Sequence, residues 1–202
     1  MRASQIILVL SLFLLTLSCR VKPKEAADAP PPLPSPTAAA TVTPDPWTQK
    51  GAPARIQIEA IGVDAPLESL GLDADQRIGV PEDWQNAGWY DVGFRPGETG
   101  SAVISGHYDT DQGEAAVFYR LGELDSGDEI VVSYPDGEVY EFVVDGQRMA
   151  EAETVDADTW DAIFGPSDTP RLSLITCDGV WNETLGGYDQ RLIYHAGLRD
   201  SR

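Results

Sequence analysis

Cys177 and His107 are the residues of this chain best suited to covalent chemistry. The 202 residues hold two cysteines and two histidines, so each one can be read individually. Cys177 follows the run Leu172-Ser173-Leu174-Ile175-Thr176 and precedes Asp178-Gly179, which places it at the C-terminal end of a strand, just before a turn. A side chain can emerge there. If Cys19 is used elsewhere, Cys177 has no partner within the chain. An unpaired thiol in an exported protein is either a buried, inert small hydrophobe or a reactive group, and the flanking residues favour the second. A free thiol, with a pKa of about 8.5, is only a few per cent thiolate at neutral pH and needs a base or a cation beside it.

His107 follows Gly106 at the end of Ala102-Val103-Ile104-Ser105. A lone histidine in a turn is ordinarily a surface residue. Two strand ends side by side on one barrel rim, however, would bring imidazole to thiol. Gly106 would permit the bend or the close backbone approach this needs. Arg191 opens the run Arg191-Leu192-Ile193-Tyr194-His195-Ala196. A guanidinium beside the site would lower the thiol pKa or hold the negative oxygen of a tetrahedral intermediate. Spacing alone does not select Arg191 over Arg171 or Arg120. His195, inside the last strand, reads as structural. Two distant histidines without a CxxC give no zinc set. Asp109-Thr110-Asp111-Gln112-Gly113-Glu114 falls short of a calcium loop, and there is no GxGxxG or P-loop. The expectation is therefore no cofactor and no metal.

The elements that must position these groups are mostly strands. Arg55-Ile56-Gln57-Ile58-Glu59 alternates apolar and polar residues. Glu129 to Tyr134 and Glu138 to Val144 flank Pro135-Asp136-Gly137, a hairpin signature. Arg171 to Thr176 and Arg191 to Ala196 read as two more strands. One short helix is predicted from Asp158 to Phe164, after an Asp cap and stopped by Gly165-Pro166, and another short turn of helix from Val117 to Leu124. Several short strands cut by turns indicate an all-β barrel or sandwich.

Residues 1–18 resemble an export signal. Arg2 precedes the apolar run Ile6 to Leu17, which is shorter than the roughly 20 residues a membrane-spanning helix needs. The run ends in Leu15-Thr16-Leu17-Ser18-Cys19, similar to a bacterial lipobox, with Cys19 the lipidated residue. The alternatives are an ordinary secretory signal or an uncleaved anchor. Residues 19–53, rich in Pro and Ala, read as a membrane tether, and residues 54–202 as the catalytic domain. Against 14 basic residues stand 33 acidic ones, a formal charge of -19, which repels nucleic acid and anionic headgroups.

Three segments together resemble a sortase, closest to the class F-like branch. They are Ile61-Gly62-Val63-Asp64-Ala65-Pro66-Leu67 with Gly71-Leu72-Asp73; Pro96 to Thr110, containing Ser105-Gly106-His107-Tyr108-Asp109; and Leu174-Ile175-Thr176-Cys177 with Gly187-Tyr188 and Arg191. The likeness covers about residues 54 to 198. It implies an all-β fold, a closed eight-stranded β-barrel with one or two short helices. It also implies a cysteine transpeptidase on the outer face of the bacterial cytoplasmic membrane. In that family the Cys thiolate attacks an LPxTG-like C-terminal sorting signal of a secreted protein and forms a thioester. An amine from peptidoglycan or a pilin then resolves it. By motif position Cys177 is the nucleophile, His107 the general acid and then base, and Arg191 the oxyanion or orienting group, while Thr176 lines the substrate pocket. Family members are more often held by a transmembrane helix than by a lipid.

The same residues would serve an exported cysteine hydrolase, with water as acceptor. An L,D-transpeptidase would carry His and Cys in one compact cluster, whereas here they lie 70 positions apart. A non-catalytic surface lipoprotein would bury Cys177.

Overall fold

Alternation in the first strand sets the pattern of the fold. In β1 (Arg55–Ile58), Ile56 and Ile58 are fully buried while Gln57 is exposed. The computed structural model describes Trp47, residues 50–73 and residues 77–200. The predicted signal, Cys19 and most of the predicted tether lie outside the described residues.

The remaining strands are β2 (Val63–Leu70), β3 (Ala87–Tyr90), β4 (Gly100–Gly106), β5 (Glu129–Ser133), β6 (Val139–Glu151), β7 (Pro170–Asn182) and β8 (Gly187–Leu198). They close into a barrel in the order β1-β2-β3-β4-β7-β8-β6-β5. The interior is filled by side chains from every wall, among them Ile58, Ile104, Phe118, Phe142, Leu174 and Tyr194. The fold is the expected closed eight-stranded barrel. β5 and β6 form the hairpin expected at Pro135-Asp136-Gly137, with Ser133 opposite Val139.

Two strands carry little sequence signal. Pro66 interrupts the alternation of β2. Leu67 N–H donates to Ala54 O at 2.9 Å, so the Pro66 nitrogen faces the other side, where pairing with β3 begins only at Leu67. The missing N–H therefore costs no ladder bond. β3 is four residues long and contains Gly88, against which Leu70 packs so closely that a Cβ would meet Leu70 Cδ1 at 2.1 Å.

Helix α1 (Ala157–Phe164) lies between β6 and β7. Asp156 caps it, its side chain accepting from Thr159 N–H at 2.8 Å. Such a cap stabilises a helix by about 1 kcal/mol. Gly165 ends it, as the sequence predicts. The second predicted helix is a single 3-10 turn, Leu121–Glu123. Helix α1 lies on the outside of the barrel, where Ile163 packs with Val103 of β4 and Ile193 of β8.

Part of the predicted tether belongs to the barrel. Trp47 O accepts from Arg95 Nε at 2.9 Å. Lys50 lies 4.3 Å from the centre of the Tyr134 ring and pairs with Glu138 and Asp136. An aromatic face flanked by carboxylates is a good seat for an ammonium group. Trp47 and Lys50 thus do not behave as free linker.

Candidate active site

The pleat decides which residues share a face. On β7, Leu172 and Leu174 belong to the interior cluster and Thr176 is 3% exposed, so Ser173, Ile175 and Cys177 face outward. On β4, Ala102 and Ile104 face inward, so Val103 and Ser105 face outward and His107 continues that row. On β8, Leu192, Tyr194 and Ala196 point in, and Arg191, Ile193 and His195 point out. Cross-strand register then lines up the rows. β4 runs parallel to β7 with Ser105 beside Ile175, and β7 pairs with β8 with Ile175 opposite Ile193 and Cys177 opposite Arg191. Two residues past the last β4 pair, His107 falls level with Cys177. The three residues therefore form one row across adjacent strands, on the outer wall of the barrel.

This differs in one respect from the strand-end, rim placement expected for Cys177. β7 does not stop at Cys177 but continues to Asn182 through a register shift between Asp178 and Trp181. Gly179 takes a φ of 87°, and a Cβ there would meet Asp189 Oδ1 at 2.2 Å. The Asp-Gly pair marks a bulge rather than a turn. His107, by contrast, does follow the end of its strand.

Local packing fixes each group. A Cβ on Gly106 would lie 2.6 Å from Phe118 Cδ2 and 2.8 Å from Val117 Cγ1, so glycine allows these side chains to pack beneath His107. Phe118 N–H donates to His107 O at 2.9 Å. The imidazole Nε2 donates to Pro81 O at 3.0 Å, and the Trp84 ring lies over it with centroids 4.4 Å apart. An Nε2–H bound to a carbonyl leaves Nδ1 as the lone-pair nitrogen of the neutral ring. The segment carrying Pro81 and Trp84 is held by Glu68, whose carboxylate accepts from Glu82 N–H and Asn86 Nδ2, both at 2.8 Å. Burial pushes the Glu68 carboxyl up, but these donors, together with Asp83 N–H and His107, outweigh it and hold it below its usual value.

Thr176, the residue that the resemblance assigns to the substrate pocket, is buried. It faces the interior, where its hydroxyl donates to Gly106 O at 2.9 Å. That bond ties β7 to β4 at the level of His107 and Cys177. Arg191 Nη1 donates to Tyr188 O at 2.9 Å and Gln190 O at 2.8 Å. A guanidinium has five N–H donors, so these bonds orient it without using it up. Arg171 is paired with Asp145 at 2.5 Å and Arg120 with Glu123 at 2.6 Å. The structure thus separates three arginines that sequence spacing left equivalent.

Cys177 is partly exposed and forms no disulfide. Burial pushes its thiol pKa up, Arg191 pulls it down, and Asp109 adds to the rise. Sequence reasoning gave no role to Trp84, Glu68 or Tyr188. The Tyr188 hydroxyl donates to Asp109 at 2.5 Å. Tyr188 lies within a quoted motif and Glu68 directly follows one, whereas Trp84 had no signal in the sequence. A recess of about 910 Å³ bounded by Glu129, Tyr140, Glu141 and Arg199 opens on β5, β6 and the end of β8, and holds none of the three residues in the row.

His195 shares the outward face of Arg191 but lies opposite Ser173, four residues along β7 from Cys177, or roughly 13 Å at strand rise. Its Nδ1 lies 3.1 Å from Ser173 Oγ. Burial pushes its pKa below 6.5, with Arg171 and Arg148 acting in the same sense. The unfolded chain therefore takes up a proton there that the folded chain refuses. The resulting stability is full above pH 6.5 and is lost as pH falls through the depressed folded value. Thermal melts between about pH 7 and about pH 5 should show a smaller acid-induced drop in Tm for His195→Gln than for the parent. An equal drop would remove His195 as the cause.

Comparison with known proteins agrees with this architecture. The family model described as "Sortase domain" matches residues 56–199. Sortase D of Bacillus subtilis (strain 168) is 32% identical over 123 residues, 60% of this chain and 52% of that protein, so the chain spans about half the length of this curated relative. Among solved structures, sortase A from Corynebacterium diphtheriae superposes with a TM-score of 0.56 at 22% identity, covering 76% of this chain and 63% of that one. The Clostridium perfringens Sortase D5 transpeptidase gives a TM-score of 0.54 at 24% identity, covering 74% and 79%. The SrtA sortase from Actinomyces oris gives 0.54 at 26% identity, covering 74% and 81%. With the closed barrel and a family model spanning almost all of it, the chain belongs to the sortase family.

Proposed function

We propose that this chain is an exported cysteine transpeptidase that acts on a C-terminal LPxTG-like sorting signal. The observation that carries this reading is the Cys177–Arg191 pair on β7 and β8, with His107, just past the end of β4, level with it. The Cys177 thiolate attacks the scissile carbonyl carbon, and the C–S bond forms as the carbonyl oxygen takes the negative charge. Arg191 supports that oxyanion. The C–N bond then breaks, and the leaving amine takes the proton that the imidazolium form of His107 carries on Nδ1, which leaves the ring neutral. The product is a thioester on Cys177. An acceptor amine from peptidoglycan or a pilin attacks it, gives a proton back to His107 and expels the thiolate.

The class F-like character of the motifs is part of this proposal. So is attachment to the outer face of the cytoplasmic membrane through lipidated Cys19. No helix among the described residues is long and apolar enough to cross a membrane.

The test is incubation with LPxTG-containing peptides, with and without an amine acceptor, followed by mass spectrometry of enzyme and products. An acyl adduct on Cys177 and an amine-linked product are expected. Hydrolysis with no amine-linked product under any acceptor would identify a hydrolase. A folded protein whose Cys177 reacts with neither peptide nor a small electrophile would support the non-catalytic binder. His195→Gln should leave turnover within about twofold, because its ring lies away from the row. Loss of turnover in that variant, with His107 dispensable, would reassign the base.

A further inference from the structure

Tyr188 joins the two halves of the site. It lies near the start of β8, three residues before Arg191, and its carbonyl accepts from Arg191 Nη1 at 2.9 Å. Its hydroxyl reaches across to Asp109, two residues beyond His107, and donates to Oδ2 at 2.5 Å. Its ring stands edge-on to Tyr108 and to Trp181, with centroids 5.6 Å away in each case. One side chain therefore spans from β8 to the segment following β4, with β7 and Cys177 between them.

We propose that Asp109 and Tyr188 form a clasp beside the nucleophile. It holds the Asp109 carboxylate off the Cys177–Arg191 pair and fixes the Arg191 guanidinium through the Tyr188 main chain. Both are positioning residues, and the inference rests on Cys177 being the nucleophile.

The charges around the thiol show why a clasp matters. β8 contributes Arg191 and Tyr188. The segment after β4 contributes His107, Tyr108 and Asp109, β7 contributes Asp178, and His107 acts in turn on Glu68 of β2. Arg191 favours the thiolate and Asp109 opposes it. Neighbouring carboxylates are tied down: Asp178 accepts from Gly179 N–H at 2.6 Å and Asp189 from Val180 N–H at 2.8 Å. Asp109 is held by a phenol instead. That phenol remains a donor across the working pH range, since its hydrogen bond to Asp109, together with burial, pushes its pKa up to about 12. A carboxylate freed from Tyr188 would pair with Arg191 or press on the thiolate. Both outcomes reduce the charge-assisted support of Cys177.

The experiment is the rate of Cys177 alkylation by iodoacetamide against pH, read by mass spectrometry of the Cys177 peptide in the full chain. It needs no substrate. Asp109→Asn removes the charge but keeps an acceptor for Tyr188, and the midpoint should move to lower pH by about half a unit or more. Tyr188→Phe keeps the charge and loses the clasp, and the midpoint should move up. In an Asp109→Asn background Tyr188→Phe should no longer move it, because no carboxylate is left to restrain. Unmoved midpoints, or an equal Tyr188→Phe shift in both backgrounds, would overturn the clasp while leaving Cys177 as nucleophile. An inert Cys177 in every variant would overturn both.

Discussion

Cys177→Ala should abolish acyl transfer, lowering turnover by on the order of 10⁴-fold or more, and should leave no adduct on the enzyme. The loss is expected to be chemical rather than structural. Cys177 lies on the outer wall, partly exposed, and its main-chain register with Arg191 does not involve the sulfur. Removing one partly exposed sulfur changes stability by less than about 1 kcal/mol, so Tm should hardly move. Cys177→Ser keeps the shape but replaces the thiol with a hydroxyl that stays protonated at any working pH, and it should be nearly as inactive. The parent enzyme should also show a characteristic pH response. Burial raises the thiol pKa and Arg191 opposes that rise, so the thiolate fraction, and with it the alkylation rate, should climb with pH well above neutrality. Removing the guanidinium with Arg191→Ala should push that climb further up the scale. Measured acyl transfer in Cys177→Ala would sink the nucleophile assignment outright, whatever the other residues do.

What the sequence showed of this site, and what it hid, follows from which physical signals are local. Alternation and turn chemistry are local, so β1, the β5–β6 hairpin and the cap and stop of α1 are all readable. β2 and β3 are not, because Pro66 and Gly88 break the local pattern, and both are tolerated only through their neighbours. Asp178-Gly179 has the composition of a turn, yet β8 continues alongside it to Gly187, opposite Asn182, so the pair becomes a bulge within a longer ladder. Face assignment was within reach. With Leu172 and Leu174 inward, the period of two sends Thr176 inward and Cys177 outward, so the two residues lie on opposite faces of β7. Register was not within reach. The β4–β7 pairing joins residues about 70 positions apart, and no local feature of either strand specifies it. Spacing left Arg191, Arg171 and Arg120 equivalent and only the motif resemblance pointed to Arg191; the β7–β8 register sets Arg191 opposite Cys177, while the other two pair with carboxylates.

His107→Ala carries the second large expected effect, a fall in kcat/KM of about 10³-fold, near the middle of the range for loss of a positioned acid–base group. The geometry says which nitrogen matters. Nε2 is committed to Pro81 O, so Nδ1 is the atom left to exchange a proton with the leaving and entering amines. His107→Gln separates anchoring from proton transfer. Its amide can still donate to Pro81 O but cannot act as an acid at working pH, so it should be about as inactive as the alanine variant. Activity close to the parent in His107→Gln would mean that His107 only braces the Pro81–Trp84 segment. A further signature separates the two roles. The acylation step of a substrate with a good leaving group, such as an activated ester, needs little protonation of the departing group. His107→Ala should therefore be impaired far less on the ester than on the peptide, whereas Cys177→Ala should be inactive on both. Equal impairment on ester and peptide would remove His107 from the proton-transfer step and leave the thiolate and Arg191 to account for the chemistry.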